Sequence, residues 1–415
     1  MPENKVFDEF FKGSGKREVA TTMAAVQMLG KLLKDKNTGK QVVPIVPDES
    51  RTFGMDALFR QAGIYAHAGQ LYEPVDRDSL LYYKEAKDGA ILEEGITEAG
   101  SMSSFIAAGT AYSTHNINCI PFFIFYSMFG FQRVGDFIWA AADARAKGFM
   151  LGGTAGRSTL AGEGLQHQDG NSHLLALTVP SVRAYDPAFA FELAVIIRDG
   201  MKRMYQDGED VFYYITVMNE KYKMPSMPSR KEIETGIING MYKYRSSQKN
   251  KFNLHLLGSG SILNEALKAA EILKKDYNIF PEVWSVTSYK KLYDDAIETE
   301  RKNRVSGKNE KTYIEECVGN KKATFVAASD YVKALPLSVS KWFPGTFAAL
   351  GTDGFGVSEH RDELREHFEI DARHMVWGAL VSLHKQKKVD KETLNGAKEK
   401  LEIDSDKPSP TKYTD

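Results

Sequence analysis

Short apolar runs that alternate with helical segments constrain the fold of this chain most. Apolar residues recur at helical spacing from Val19 to Leu33, and the buried run "QVVPIV" follows them. The same order recurs along the first half of the chain, and it is typical of an α/β fold with a mainly parallel sheet. The further strands predicted there are "IPFFIFY" (120–126), "FMLGG" (149–153), "LLALTVPSV" (174–182) and "DVFYYITVM" (210–218).

A change in composition divides the chain. Between Asn219 and Phe252 the stretches "MPSMPSR" and "YRSSQKNK" are poor in core residues and rich in turn formers. Because 415 residues are too many for one core, we predict two three-layer α/β domains, over residues 1–228 and 229–415. The strands predicted for the second domain are "FNLHLLGSGS" (252–261), "EVWSVTS" (282–288), "ATFVAAS" (323–329) and "TFAALGTDGFG" (346–356), all of them buried.

Charge and composition exclude several classes of function. The net charge of -1 offers no basic face for a nucleic acid. Cys119 and Cys317 stand far apart, which favours a reducing compartment, and we expect a cytoplasmic protein. The longest apolar run, from Ile120 to Phe131, is shorter than the roughly 20 residues that span a bilayer, so we expect no membrane segment.

The stretch "GGTAGRSTLAGEGLQHQDG" at 152–170 is unusually rich in glycine. It is not a phosphate-binding P-loop, because Leu151 and Arg157 stand where that motif needs its first glycine and its lysine. The stretch "GSGSIL" likewise fails as a dinucleotide motif, because Leu263 replaces the third glycine. His167 lies among polar neighbours in the glycine-rich stretch, and it is either a proton-exchanging group or a structural residue.

Three acids and two aromatic residues are further candidates for a site. Asp48 and Glu49 follow a predicted strand, so they either line a ligand site at its carboxyl end or cap the next helix. Glu98 precedes a helix of small, apolar residues, which predicts a buried acid-base group at a helix N-terminus. Tyr126 and Phe129 fall at a strand-to-helix turn, where a ligand ring could stack, although most of that aromatic run belongs to the core.

Several long stretches, in the same order, resemble the thiamine-diphosphate enzymes related to transketolase. Within that family they are similar to the second half of the homodimeric type of the decarboxylating first component of the pyruvate dehydrogenase complex. The resemblance covers essentially the whole chain. It implies a pyrimidine-binding domain followed by a transketolase-type C-terminal domain. The stretches are "PDESRTFGMDALFRQAGIY", "EEGITEAGSMSSFIAAGTAYST", "PFFIFYSMFGFQRVGDFIWAA", "GGTAGRSTLAGEGLQHQDGNSH" and "LGTDGFGVSEHRDELREHFEID".

The resemblance also implies roles for the residues near the cofactor. Glu98 matches the glutamate that hydrogen-bonds the pyrimidine ring nitrogen, and Phe129 matches an aromatic residue that stacks on that ring. Tyr126 lies beside it, near the reacting centre, and Arg133 would support the pocket from one helical turn further on.

On the substrate side, His167 matches the histidine that contacts the substrate carboxylate. Glu49 matches an acid of the same cavity, and Asp48 is adjacent to it. The implied reaction is decarboxylation of pyruvate and transfer of the acetyl group to a lipoyl carrier.

The chain departs from the family in one respect. The family holds the diphosphate and Mg²⁺ with a "GDG" motif and later asparagines on a preceding domain, and "QDGNSH", "RDGMKRMYQDGED" and "GTDGFG" do not match it. We therefore expect no metal ligands on this chain, which is either a subunit of a split enzyme or one half of a longer enzyme. Its expected partners are a diphosphate-binding subunit or N-terminal half and a lipoyl-bearing acetyltransferase, in a homo- or hetero-oligomer.

Two alternatives remain open at this point. One is another 2-oxo acid dehydrogenase or a transketolase-like subunit, which would differ around His167. The other is a non-catalytic assembly subunit, in which the pocket residues are relics. The presence of all five family residues weighs against a relic: Glu49, Glu98, Tyr126, Phe129 and His167.

Overall fold

Two compact units make up the chain. A computed structural model describes residues 1–47, 50–75, 83–230 and 232–412. The glycine-rich stretch that follows Ala155 belongs with the second unit, although it precedes most of that unit in sequence. The first unit comprises Met1–Ala155, Thr178–Arg183 and Phe189–Met227, and the second comprises Gly156–Leu177, Ala184–Ala188 and Pro228–Asp415.

Ten strands and six helices precede residue 228 in the described parts of the chain. The strands are β1 (Glu18–Val19), β2 (Val42–Val46), β3 (Ile64–Tyr65), β4 (Glu85–Ala86), β5 (Leu92–Glu93), β6 (Ile120–Tyr126), β7 (Phe149–Gly153), β8 (Val182–Tyr185), β9 (Phe212–Thr216) and β10 (Tyr222–Lys223). The helices are α1 (Thr21–Leu33), α2 (Asp56–Ala62), α3 (Glu98–Thr114), α4 (Phe131–Asp143), α5 (Ser172–Ala176) and α6 (Ala190–Tyr205).

Five strands and eight helices follow in the described residues after 228. The strands are β11 (Met241–Arg245), β12 (Leu254–Gly258), β13 (Glu282–Val286), β14 (Ala323–Ala328) and β15 (Gly345–Leu350). The helices are α7 (Glu232–Asn239), α8 (Leu263–Tyr277), α9 (Tyr289–Ser306), α10 (Tyr313–Val318), α11 (Ala334–Leu337), α12 (Arg361–His367), α13 (Ala372–Lys385) and α14 (Lys391–Lys400).

A six-stranded sheet forms the centre of the first unit. Its order is β5-β2-β6-β7-β9-β8, and β2 pairs in parallel with β5 and β6, as β7 does with β6 and β9. All seven residues of β6 are buried, as its continuous apolar sequence requires. Tyr126, its last residue, pairs with Gly153 at the end of β7. Helix α3 follows β5 and helix α4 follows β6, and both strands pair in parallel with β2. The start of each helix therefore lies near the carboxyl edge of the sheet.

A five-stranded sheet of order β11-β13-β12-β14-β15 forms the centre of the second unit. The strands β13, β12, β14 and β15 pair in parallel, and β11 pairs antiparallel with β13 at the edge. Gly258, Ala328 and Leu350 end neighbouring strands in register. The segments that follow these three strands therefore start at the same edge of the sheet.

The predicted fold class is confirmed, since both units are α/β with mainly parallel sheets, while two local predictions are wrong and one strand was missed. The stretch 174–182 is not a strand, because α5 occupies its start and β8 begins only at Val182. The Asp169 carboxylate accepts the N–H groups of Asn171 and Ser172 and so starts that helix. Strand β15 is half-exposed at the sheet edge rather than buried, and β11 was not predicted. The boundary at 228 stays a prediction.

A buried ion pair joins three helices of the second unit. Glu265 of α8 and Arg365 of α12 are 4% and 2% exposed. Glu265 Oε1 accepts from Arg365 Nη1 at 3.2 Å, and its Oε2 accepts the N–H of Ala372, at the start of α13, at 3.0 Å. The pair replaces water that both charges lose on folding, so removing Glu265 takes a charge partner from the buried Arg365.

We therefore predict that Glu265→Ala lowers the free energy of unfolding by about 3 to 5 kcal/mol, the cost of breaking a buried pair. Urea unfolding of the chain measures this loss. The matched control is Glu271→Ala on the same helix, where the exposed carboxylate pairs with Arg245 at 2.5 Å; an exposed pair contributes about 1 kcal/mol at most. Equal losses in the two variants would contradict the prediction.

Candidate active site

Glu98 is the first residue of α3, and its position follows from the local sequence. Thr97 takes an extended backbone conformation and its hydroxyl accepts the N–H of Gly100 at 3.1 Å, which fixes the helix start. The Glu98 residue is 7% exposed. A carboxyl group at this position lies at the positive end of the helix dipole.

Arg133, in the first turn of α4, joins Glu98 to Phe129. Its Nη1 donates to Glu98 Oε2 at 3.1 Å, while its Cζ lies 3.9 Å from the centroid of the Phe129 ring. A guanidinium group is planar, so it donates hydrogen bonds along its edge and stacks on an aromatic ring with its face. The Arg133 side chain is 52% exposed, so its ion pair with Glu98 is open to solvent on one side.

Two further aromatic rings continue the site from Phe129. The Phe129 and Tyr126 rings meet edge to face with centroids 5.7 Å apart, and Tyr126 meets Phe53 at 5.6 Å in the same way. Tyr126 and Phe53 are 7% and 1% exposed, whereas Phe129 is half-buried. The sequence reasoning missed Phe53, which stands in "RTFGM" just after the predicted acids; that proximity was the available signal.

His167 lies in the second unit, in a short 3-10 helix over Leu165–His167. Its backbone N–H donates to Gly164 O at 3.0 Å, and its Nδ1 lies 3.8 Å from Glu163 Oε2. Its side chain is 24% exposed, so solvent reaches the imidazole.

His173, six residues further on, has a different environment. It is 4% exposed, and its ring packs edge to face against Tyr331 with centroids 4.8 Å apart. Burial lowers the pKa of His173 to about 4, although the nearby Asp169 carboxylate acts in the opposite direction. His173 is therefore neutral at pH 7 and buried, whereas solvent reaches the imidazole of His167.

The structure thus brings four predicted site residues together in the first unit: Glu98, Tyr126, Phe129 and Arg133. Asp48 and Glu49 lie outside the described residues. Within the described ranges, no group of three or more His, Cys, Asp or Glu side chains is arranged to hold a metal ion. None of the helices described is both long and apolar enough to cross a bilayer.

Two family descriptions match the sequence. Residues 2–225 match the "Pyruvate dehydrogenase E1 component middle domain", and residues 240–371 match the "Transketolase-like TK C-terminal domain".

Curated relatives match nearly the whole chain. The pyruvate dehydrogenase E1 component of Pseudomonas aeruginosa is 51% identical over 99% of this chain and 47% of its own length. That of Escherichia coli K12 is 48% identical over 95% of this chain and 44% of its own length. The chain therefore spans about half the length of the curated relatives that it matches.

Solved structures share the fold at low sequence identity. Transketolase from Leishmania mexicana has a TM-score of 0.69 at 14% identity, over 92% of this chain and 48% of its own. A structure described as "Split gene transketolase, inactive beta4 tetramer" has a TM-score of 0.57 at 16% identity, over 88% of this chain and 98% of its own. These structures show the fold. The match over residues 2–225, which is more than half of the sequence, shows that the chain belongs to the pyruvate dehydrogenase E1 component family.

Proposed function

We propose that this chain supplies the pyrimidine-binding and C-terminal domains of a thiamine-diphosphate-dependent pyruvate dehydrogenase. The observation that carries the proposal is the group formed by Glu98, Arg133 and Phe129 at the carboxyl edge of a parallel sheet. Such edges are where ligands of open α/β sheets bind. The relatives named pyruvate dehydrogenase E1 component support the choice of pyruvate as substrate.

The residues of this group fit the aminopyrimidine end of thiamine diphosphate. A carboxyl group at a buried helix start can hydrogen-bond a ring nitrogen, and Glu98 is 7% exposed there. The half-buried Phe129 and the buried Tyr126 add apolar surface on which a flat ring can stack. Glu98, Phe129, Tyr126 and Arg133 would therefore hold the pyrimidine end.

Thiamine diphosphate, when bound, supplies a nucleophilic carbon and the electron sink that decarboxylation requires. Glu98 holds or releases a proton at its carboxyl group, toward the ring nitrogen that it binds. Arg133 keeps the carboxylate of Glu98 in one orientation through the 3.1 Å bond, and it closes one face of Phe129. Arg133 therefore fixes the direction in which the proton moves.

The other predicted residues would act on the substrate. His167, with its accessible imidazole, would contact the carboxylate of pyruvate and move protons during the reaction. Glu49 and Asp48 stay predicted acids of the substrate side, and Tyr126 would orient the reacting carbon. The acetyl group would then pass to a lipoyl-bearing acetyltransferase.

We further propose that this chain holds only half of the cofactor site. The diphosphate and its Mg²⁺ would be bound by a domain outside these 415 residues, in a partner subunit or in the other half of a longer enzyme. The share of relatives that the chain spans, 44% to 47%, supports this proposal. The split-gene transketolase supports it too, since its chain is of similar extent and its tetramer is described as inactive. The assembly would be an oligomer in the cytoplasm.

One prediction concerns the carboxyl group of Glu98. Glu98→Gln, in the enzyme assembled with a diphosphate-binding partner, should lower kcat by about 100-fold or more, the usual contribution of one acid-base group. Because the amide keeps the shape of the side chain and can still accept from Arg133, the thermal unfolding midpoint should shift by less than about 4 °C. Pyruvate turnover and thermal melting measure the two effects.

The matched control is Glu209→Gln. Glu209 also pairs with an arginine of the first unit, Arg203, at 2.9 Å, and no site role is proposed for it. Its variant should keep wild-type turnover. Wild-type turnover in Glu98→Gln itself would remove the central assignment.

Another prediction concerns the half of the cofactor site that this chain would hold. The chain alone should decarboxylate pyruvate very slowly in the presence of thiamine diphosphate and Mg²⁺, since the groups that bind the diphosphate are missing. Mixing it with a chain that carries the diphosphate-binding domain should raise turnover by at least about 100-fold, because it completes the reacting geometry. Turnover by the isolated chain at the rate of the mixture would refute the half-site proposal.

A further inference from the structure

We propose that Asp330 positions His167 by holding the first residues of the histidine loop, which we define as residues 156–170. The inference rests on the proposed role of His167 in the reaction. Asp330 lies 163 residues from His167 in sequence, just after β14, and both belong to the second unit.

Asp330 accepts three hydrogen bonds from two consecutive residues of the loop. Its Oδ1 accepts the N–H of Ser158 at 2.7 Å, and its Oδ2 accepts the N–H of Thr159 at 2.9 Å. The Thr159 hydroxyl donates to the same Oδ2 at 2.5 Å. The carboxylate is fully buried, so these donors replace the water that it has lost. Both oxygens are occupied, which fixes the backbone of the loop in position and direction.

A second hydroxyl completes the attachment. The Thr159 hydroxyl has one proton, and it donates this proton to Asp330 in a hydrogen bond. The hydroxyl of Ser261, 2.6 Å from Thr159 Oγ1, must therefore be the donor in their contact. Ser261 follows β12, so the start of the loop is bound to residues that follow two neighbouring strands of the sheet.

The approach to Asp330 explains one of the glycines in the loop. Gly156 has φ of +90°, and a Cβ placed there would lie 2.3 Å from Asp330 Oδ2. A larger residue would meet the carboxylate and would also strain the backbone. The glycine lets the chain pass close to a buried acid.

Gln168 links the start of the loop, at Thr159, to the segment that carries His167. The carbonyl oxygen of Leu160, the residue after Thr159, accepts from Gln168 Nε2 at 2.8 Å. Gln168 Oε1 in turn accepts the N–H of Val357 at 2.7 Å. Gln168 is 1% exposed and directly follows His167. One amide therefore ties the residue beside His167 to the part of the loop that Asp330 holds.

The backbone of His167 is held within the same loop, where its N–H donates to Gly164 O at 3.0 Å. Its Nδ1 lies 3.8 Å from Glu163 Oε2, and its side chain is 24% exposed. The hydrogen bonds of the loop therefore fix the backbone that carries the imidazole. A site on a loop reaches catalytic precision only when buried bonds hold that loop, and Asp330 provides three of them.

The test compares Asp330→Asn with the wild-type full chain. The amide replaces one acceptor oxygen with a donor that faces the donors of Ser158 or Thr159, so the loop should shift. We expect the rate at which diethyl pyrocarbonate modifies His167, followed by peptide mass spectrometry, to change by about threefold or more. The exposed His115 of the first unit serves as an internal reference and should keep its rate.

The matched control is Asp353→Asn. Asp353 accepts the N–H of Lys333 at 2.9 Å and is partly exposed in the same unit. Asp353, like Asp330, is a carboxylate that accepts a backbone N–H. Asp353→Asn should leave the rate at which His167 is modified unchanged.

A second pair of variants tests the same attachment if Asp330→Asn does not fold. Thr159→Val removes the hydroxyl and should alter the modification rate of His167, whereas Thr159→Ser keeps a hydroxyl and should restore it. In the assembled enzyme, Asp330→Asn or Thr159→Val should also lower kcat/KM for pyruvate by up to about 100-fold. Thr159→Ser should not lower it.

The outcomes separate this inference from the proposed function. An unchanged rate at His167 in both Asp330→Asn and Thr159→Val would overturn the positioning role. An altered rate, together with full turnover in His167→Ala, would support the positioning role while refuting the part that His167 plays in the proposed reaction.

Discussion

Parallel strands end at a common edge of their sheet, and the chemistry of this chain depends on that constraint. In the first unit it brings Tyr126, Phe129 and the start of α4 next to the start of α3, which carries Glu98. In the second unit it brings Asp330 and Ser261, which follow neighbouring strands, to the same loop. Side chains separated by tens or hundreds of residues meet because their strands are neighbours.

The two buried acids at these edges are held in different ways. Asp330 is saturated, with both oxygens occupied by protein donors and no exposed surface. Glu98 has its bond to Arg133, whose side chain is half-exposed. A saturated carboxylate stabilises one arrangement of the backbone, whereas a carboxylate whose ion pair is open to solvent can bind a ligand beside its partner. The contrast suits a positioning role for Asp330 and an acid-base role for Glu98.

The sequence predicted the α/β class and the positions of Glu98, Tyr126 and Phe129, because buried runs and helix starts leave local patterns. It failed at 174–182, where an apolar run fits a strand and a helix equally well and the Asp169 carboxylate binds two N–H groups at the helix start. The ion pair across 35 residues and the hold of Asp330 on a loop 171 residues away were not predictable, since they depend on which strands become neighbours. A single aspartate after a strand resembles an ordinary turn residue.

The central claim is that Glu98 faces the pyrimidine ring of thiamine diphosphate in a site that a second domain completes. A crystal structure of the chain with a diphosphate-binding partner, thiamine diphosphate and Mg²⁺ tests it most directly. We predict a Glu98 carboxyl oxygen within about 3 Å of a pyrimidine ring nitrogen, the distance of a hydrogen bond, and the Phe129 ring in contact with that pyrimidine. A cofactor whose pyrimidine lies away from Glu98 would contradict the claim.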